Sequence, residues 1–212
     1  MTAISPCAPD QTTPSSADDA ERRTASLAIW VRQPWMVRVG RDNVLIRGTS
    51  PRDLTAVALM HTRCSAASLL NRYHAGGRAP SPLAIEHILR RTLSFIACTS
   101  RGDVIGHAVA WADPSHPAGA AEIGLLVQDD WQRRGIGREM LTHLAGGAFV
   151  CGYSQLIAYT ATDQPATQRL LTGVGRTFAV RGPSRGVAGH LHTYLTEAST
   201  LGLGAVREHL AS

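Results

Sequence analysis

The chain has 212 residues, of which 44% are hydrophobic and 17% are charged, and this composition suffices for one buried core. Its four cysteines lie far apart without a C-x-x-C pair. We therefore expect neither a disulfide framework nor a structural zinc site, and we expect the protein to reside in a reducing compartment. Because the sequence has no bilayer-length apolar run and no secretory signal pattern, we predict a cytoplasmic protein with no membrane partner.

The basic residues are all arginine: there are 21 of them, no lysine, and a net charge of +5. The absence of lysine excludes a Walker-type phosphate lysine and a Schiff-base lysine. Residues 1–26 contribute −2, so the remainder carries about +7, which suits an anionic ligand such as a phosphorylated cofactor. No helix-turn-helix or zinc pattern accompanies this charge, so we predict no nucleic-acid partner.

The first half of the chain is predicted to contain a tail, an edge segment and three helices. Residues 1–26, rich in Ser, Thr, Pro and Ala, are predicted to be a disordered tail, and 27–212 a single domain. Leu27–Val39, which contains Pro34, is predicted to be an edge segment, and Val44–Arg47 a short strand. The predicted helices are one that begins after the Ser50 cap, a short one capped by Ser65, and Leu83–Arg91.

The second half is predicted to alternate strands with helices around a central sheet. The predicted strands are Leu93–Cys98, Val104–Trp111, Glu122–Val127, Leu156–Thr160, Thr177–Val180 and Val187–Thr196. The predicted helices are Ile136 to about Ala148, one that begins at Pro165, and a short helix or coil over Glu197–Leu210.

One segment carries a pattern with a chemical meaning. Gln132-Arg-Arg-Gly135-Ile-Gly137 follows a predicted strand and begins a predicted helix. A helix N-terminus offers free N–H groups and a positive dipole end, and the glycines let a ligand approach the backbone closely. This combination predicts a site for phosphate or pyrophosphate. A dinucleotide fingerprint fits less well, because Met140 stands where its third glycine would be.

The Q-x-x-G-x-G pattern resembles the acetyl-CoA loop of the GNAT superfamily of N-acetyltransferases. The predicted order of elements from Val44 to Thr196 is similar to that superfamily as well. The resemblance implies an α/β GNAT fold, with a central mixed, mostly antiparallel sheet flanked by helices. Residues 121–132 and 60–73 also resemble the GNAT domains of bacterial protein lysine acetyltransferases.

The resemblance implies acetyl-CoA as co-substrate, with no metal, and it assigns residues to the binding site. The backbone of the strand before the loop would pair with the pantetheine arm, and the loop would hold the pyrophosphate. Gln164 would stand at or near the place of a family asparagine. The implied acetyl-CoA residues are Leu125, Leu126, Val127, Gln132, Arg133, Arg134, Gly135, Ile136, Gly137, Arg138 and Gln164.

The resemblance also implies that Glu122 is the general base, since an amine with a pKa near ~10.4 must lose a proton before it attacks. Asp53 and Glu86 are better explained as helix-surface groups. The tyrosine that commonly protonates the leaving thiolate is missing from the helix after Pro165. Tyr159 and Tyr194 are candidates to replace it, although core packing explains each of them better.

The acceptor implied by the resemblance is a primary amine, and the narrower likeness favours a protein lysine. An amine on a small molecule, either an antibiotic or a metabolite, is the alternative, as is a non-catalytic, regulatory acyl-CoA-binding domain. A homodimer is left open. His61, Arg63, Tyr73 and His74 are candidates to line the acceptor site, and Met60, Cys64, Leu69 and Leu70 are predicted to be core.

Overall fold

The computed structural model describes residues 30–74, 76–114, 116, 118–161, 165–172, 177–181 and 191–197. The predicted tail at 1–26, the predicted binding residue Gln164 and the predicted C-terminal helix or coil beyond Glu197 lie outside these residues. Within the described part, no helix is long and apolar enough to cross a membrane.

Eight strands form one sheet in the order β1-β2-β3-β4-β5-β6-β8-β7. The strands are β1 Trp35–Val39, β2 Asp42–Gly48, β3 Leu93–Thr99, β4 Val104–Trp111, β5 Ala120–Val127, β6 Gln155–Ala161, β7 Thr177–Arg181 and β8 Leu191–Glu197. Neighbours are antiparallel except β5 and β6, which are parallel. The predicted mixed, mostly antiparallel sheet is therefore confirmed, with β1 as its edge strand.

Five α-helices of eight residues or more lie around this sheet in the described residues: α1 Leu54–Thr62, α2 Ala66–Tyr73, α3 Pro82–Arg91, α4 Ile136–Val150 and α5 Pro165–Thr172. The serine caps explain where two of them begin. The hydroxyl of Ser65 accepts a hydrogen bond from the N–H of Ser68, and Ser81 caps α3 in the same way. His74, in the left-handed conformation, ends α2.

The helices cover both faces of the sheet. Apolar residues of α1, α2 and α3 pack with Ile96, Cys98 and Leu126 on one face. On the other face, α4 packs against the central strands and against Trp30, whose indole N–H donates to the carbonyl of His143 at 3.0 Å. Side chains on β5 alternate between these two layers, as the strand period requires.

Three side chains lie elsewhere than the sequence predicts. Leu70 is 49% exposed rather than core, because the short helix α2 buries Leu69 instead. Asp53 is 7% exposed rather than on the surface, because it forms an ion pair with Arg47 (Nη2 to Oδ1, 2.7 Å). His61 is fully buried, with Nε2 2.7 Å from the hydroxyl of Tyr73, and belongs to the core rather than to an acceptor site.

Candidate active site

The sheet opens at one point, between the parallel strands β5 and β6. These strands pair only from Ala120–Gln155 to Glu122–Ile157, whereas β4 remains paired with β5 as far as Val127. Beyond Glu122, the β6-facing backbone groups of β5 have no ladder partner in the described part of the sheet. Such groups can hydrogen-bond an extended ligand that enters between the strands.

A groove of about 460 Å³ lies at this opening, lined by β5, β6, α2, α5 and the loop that leads into α4. It brings Glu122 together with most of the predicted acetyl-CoA residues: Leu125, Leu126, Val127, Gln132, Arg133, Gly135, Gly137 and Arg138. Two predicted residues do not line it with their side chains. Arg134 lies over the Trp131 ring at 5.0 Å, and Ile136 is 1% exposed in the core, which leaves only its backbone for a ligand.

The loop before α4 has the backbone geometry of an anion site. Gly135 is the N-cap of α4 with a φ of 88°, and Arg133 has a φ of 59°. Nothing lies within 4 Å of a Cβ built on Gly135, so its backbone angle, not crowding, favours glycine there. With Gly135 and Gly137 in the groove wall, the N-terminus of α4 presents free N–H groups and its positive dipole end to a ligand.

A polar network that the sequence analysis missed joins α2 to this loop. The Asp129 carboxylate accepts from Ser65 N–H at 2.9 Å, Ser65 Oγ at 2.6 Å and Ser68 Oγ at 2.9 Å. The side-chain amide of Gln132 donates to Ser68 Oγ and to the Val127 carbonyl, each at 2.9 Å. Burial alone would raise the pKa of Asp129, but these serine hydrogen bonds lower it. Gln132 therefore fixes the loop to α2.

Glu122 is the third residue of β5, and its side chain is 20% exposed at the point where β5 and β6 separate. Its Oε2 lies 3.3 Å from Nε2 of His116. Burial raises the pKa of Glu122, and the neighbouring His116 and Arg72 oppose that rise. A carboxylate whose pKa is raised is a stronger general base once it is ionised.

Asp113 completes a cluster with His116 and Glu122. Their potential ligand atoms all lie within 4.8 Å of one another, and no other such cluster occurs among the described residues. The sequence analysis did not link Asp113 and His116 to Glu122, because this contact depends on tertiary packing rather than on the spacing of the residues.

Two further groove residues complete the site. Tyr159 is half-buried and lines the groove with Glu122, so the expectation that it packs in the core is wrong. Burial raises the pKa of Tyr159, and the charges of Glu122 and Asp113 raise it further. Arg72, which the sequence analysis did not single out, lines the same part of the groove.

A family model described as "Acetyltransferase (GNAT) family" matches residues 65–175, which span α2, the groove strands, the loop and α5. The chain belongs to the GNAT acetyltransferase family. As a GNAT acetyltransferase it uses acetyl-CoA as the acetyl donor for an amine. Membership of this family supports an enzyme rather than a non-catalytic acyl-CoA-binding domain. No curated protein matches the sequence.

Solved structures share the fold at low sequence identity. The GNAT domain of S. lividans PAT has a TM-score of 0.68 at 19% identity, with 80% of this chain and 98% of that chain covered. Salmonella typhimurium yncA, solved with its cofactor acetyl-CoA, gives a TM-score of 0.59 at 18% identity over 74% and 94%. A GNAT phosphinothricin acetyltransferase from Sinorhizobium meliloti, in complex with AcCoA, gives 0.56 at 22% identity over 75% and 89%.

Proposed function

We propose that this GNAT acetyltransferase acetylates a primary amine by direct attack, with Glu122 as the general base. The observation that carries the proposal is the placement of Glu122 where β5 and β6 separate, in the same groove as the N-terminus of α4. The groove thus has a carboxylate at one end and an anion site at the other. A phosphorylated thioester that spans it has its reacting end next to the base.

The chain's own residues fit acetyl-CoA along the length of this groove. The backbone of Leu125, Leu126 and Val127 pairs with the pantetheine arm, because β6 does not pair with that stretch of β5. The N–H groups around Gly135 and Gly137 bind the pyrophosphate, and Arg133 and Arg138 add positive charge beside it. The six residues from Glu122 to Val127 span about 17 Å of extended strand, in five steps of about 3.3 Å.

The reaction begins with the loss of a proton from the ammonium form of the acceptor to Glu122, directly or through water. The amine nitrogen then attacks the thioester carbonyl carbon, and a backbone N–H of β5 stabilises the oxyanion. The attacking nitrogen gives up its second proton to water, the carbon–sulfur bond breaks, and CoA leaves as a thiolate. Tyr159, whose raised pKa keeps its phenol protonated, is positioned in the groove to return a proton to the sulfur.

We propose a protein lysine as the acceptor, in keeping with the fold shared with the GNAT domain of S. lividans protein acetyltransferase. A small-molecule amine is the second candidate. The fold shared with a GNAT phosphinothricin acetyltransferase from Sinorhizobium meliloti supports this candidate.

The test uses acetyl-labelled acetyl-CoA and whole extract of the source cell, incubated with the wild type, Glu122→Gln or Glu86→Gln. Glu86 is a matched control because it lies on the exposed side of α3, paired with Arg90. We expect label to appear with the wild type and Glu86→Gln and to be lost with Glu122→Gln. Label in protein identifies a protein acceptor, and label among small molecules identifies the second candidate. Equal labelling by Glu122→Gln would contradict the assigned base.

A further inference from the structure

Arg72 occupies an unusual position at the C-terminal end of α2. Its guanidinium lies directly on the backbone of β5 at Gly124, where any Cβ would overlap it. The guanidinium carbon is 4.8 Å from the centre of the Tyr73 ring and 5.9 Å from that of the Trp111 ring. Gly124 and the two aromatic rings thus hold a positive charge in a fixed place on the groove wall.

Arg72 forms no close ion pair. Among the described residues, no Asp or Glu oxygen lies within ion-pair distance of its guanidinium, and Glu122 acts on its charge only from further away. Burial lowers the pKa of Arg72, although an arginine remains protonated at neutral pH. Buried charges in proteins are ordinarily paired, so a partly buried, unpaired guanidinium in a groove indicates an anionic ligand.

The position of Arg72 along the groove identifies which ligand supplies the anion. Gly124 is two residues from Glu122 on the same face of β5, a separation of about 6–7 Å. The anion site at Gly135 and Gly137 follows the opposite end of β5, beyond Val127. Phosphates bound there lie toward the Val127 end of the groove, whereas the Arg72 guanidinium lies toward the Glu122 end. The anion therefore belongs to the molecule that meets Glu122, which is the acceptor.

We propose that Arg72 binds a carboxylate of the acceptor, so that the substrate is an amine with an acidic group close to the reacting nitrogen. This inference rests on the proposed function. A planar guanidinium held against the strand matches a carboxylate through two parallel hydrogen bonds. The same positive charge contributes to lowering the pKa of His74 and His61, and it favours the neutral form of the acceptor amine as well.

The carboxylate has two possible sources, a free amino acid or an acidic residue beside a lysine in a polypeptide. The experiment measures CoA thiol release with two matched sets of probes: α-amino acids against their α-amides, and single-lysine peptides with Asp or Gln next to the lysine. We expect the wild type to prefer the acidic member of one set roughly 10- to 100-fold in kcat/KM, chiefly through KM. The set that shows the preference identifies the source.

The variants separate charge recognition from folding. Arg72→Gln is expected to remove the preference for the acid, so that acidic and neutral probes react with equal kcat/KM, and Arg72→Lys is expected to retain part of the preference. Arg101→Gln, in the exposed turn between β3 and β4, changes the charge equally and is expected to keep the full preference.

The failures of the two proposals are distinguishable. Equal transfer to acidic and neutral probes that still depends on Glu122 would overturn the role of Arg72 and leave the base intact. A preference for the acidic probes that depends on Arg72, with no effect of Glu122→Gln on the rate, would support the role of Arg72 and overturn Glu122 as the base. If no probe is acetylated, the deciding measurement is the binding of the N-acetylated acids and the N-acetylated amides to the CoA-loaded protein. Equal binding of the two, or no binding of either, would overturn the proposed role of Arg72.

Discussion

Asp129 should control both the stability of the fold and the affinity for acetyl-CoA, because its carboxylate joins α2 to the loop before α4. In Asp129→Ala, three hydrogen bonds from Ser65 and Ser68 are lost. The site is exposed, so water replaces part of each interaction. The expected loss is roughly 1.5–2 kcal/mol in the free energy of unfolding, or a Tm decrease of roughly 3–8 °C for a chain of this size.

The same substitution should weaken acetyl-CoA binding. Ser68 holds the side-chain amide of Gln132, and Gln132 in turn holds the carbonyl of Val127 at the start of the loop. If half or more of the lost energy appears as disorder of the loop, the Kd for acetyl-CoA rises roughly 3- to 30-fold. Calorimetric titration of acetyl-CoA and thermal unfolding of the same samples measure both quantities.

Asp130 provides the control, since it is the next residue in the same exposed turn, and in the described part of the chain its side chain makes no hydrogen bond. Asp130→Ala removes the same charge and should leave Tm and Kd near the wild-type values. Equal effects of the two substitutions would refute the reasoning, because a general loss of negative charge would then explain them.

Two further predictions concern the loop and the ion pair beneath α1. Gly135→Ala and Gly40→Ala both place a side chain at positive φ in open space, and each should lower the free energy of unfolding by about 1 kcal/mol. Only Gly135→Ala should weaken acetyl-CoA binding in a titration. Asp53→Ala leaves Arg47 without its partner and should cost roughly 2–3 kcal/mol in chemical denaturation, against roughly 0.5 or less for the exposed Glu86→Ala. Arg47 holds the pKa of Asp53 below its usual value. The stability that the ion pair contributes is therefore present above about pH 4 and is lost as the pH falls through the lowered pKa. Asp53→Ala should not show this loss of stability in acid.

The local elements were predictable because their signals are local. The Ser65 cap, the period-two strands and the glycine loop each depend on neighbouring residues, and the structure contains all of them. The element order predicted an α/β fold around a central sheet, and the family resemblance implied that this sheet is mixed and mostly antiparallel. The β5-loop-α4 sequence predicted where the anion site begins. The sequence also predicted Glu122 as a groove residue through the family resemblance.

The remaining features depend on long-range packing. Asp129 contacts serines more than sixty positions earlier in the chain, and nothing near it in the sequence indicates this. The sequence analysis did not single out Arg72, because only the missing Cβ of Gly124 on a distant strand lets its guanidinium lie on β5. Asp53 followed the pattern of a helix start, yet the Arg47 partner on β2 brings it into the interior.

The central claim is that Glu122 removes a proton from the acceptor amine, and the pH dependence of kcat/KM tests it most directly. The measurement compares the wild type with Glu122→Gln, using the lysine peptide and amino acid probes. Because burial raises the pKa of Glu122, we expect the wild-type rate to fall with decreasing pH around a value above that of an ordinary glutamate. The variant should lack this decrease and be slower by roughly 100-fold or more at neutral pH. A variant with the wild-type rate and the same pH profile would contradict the account.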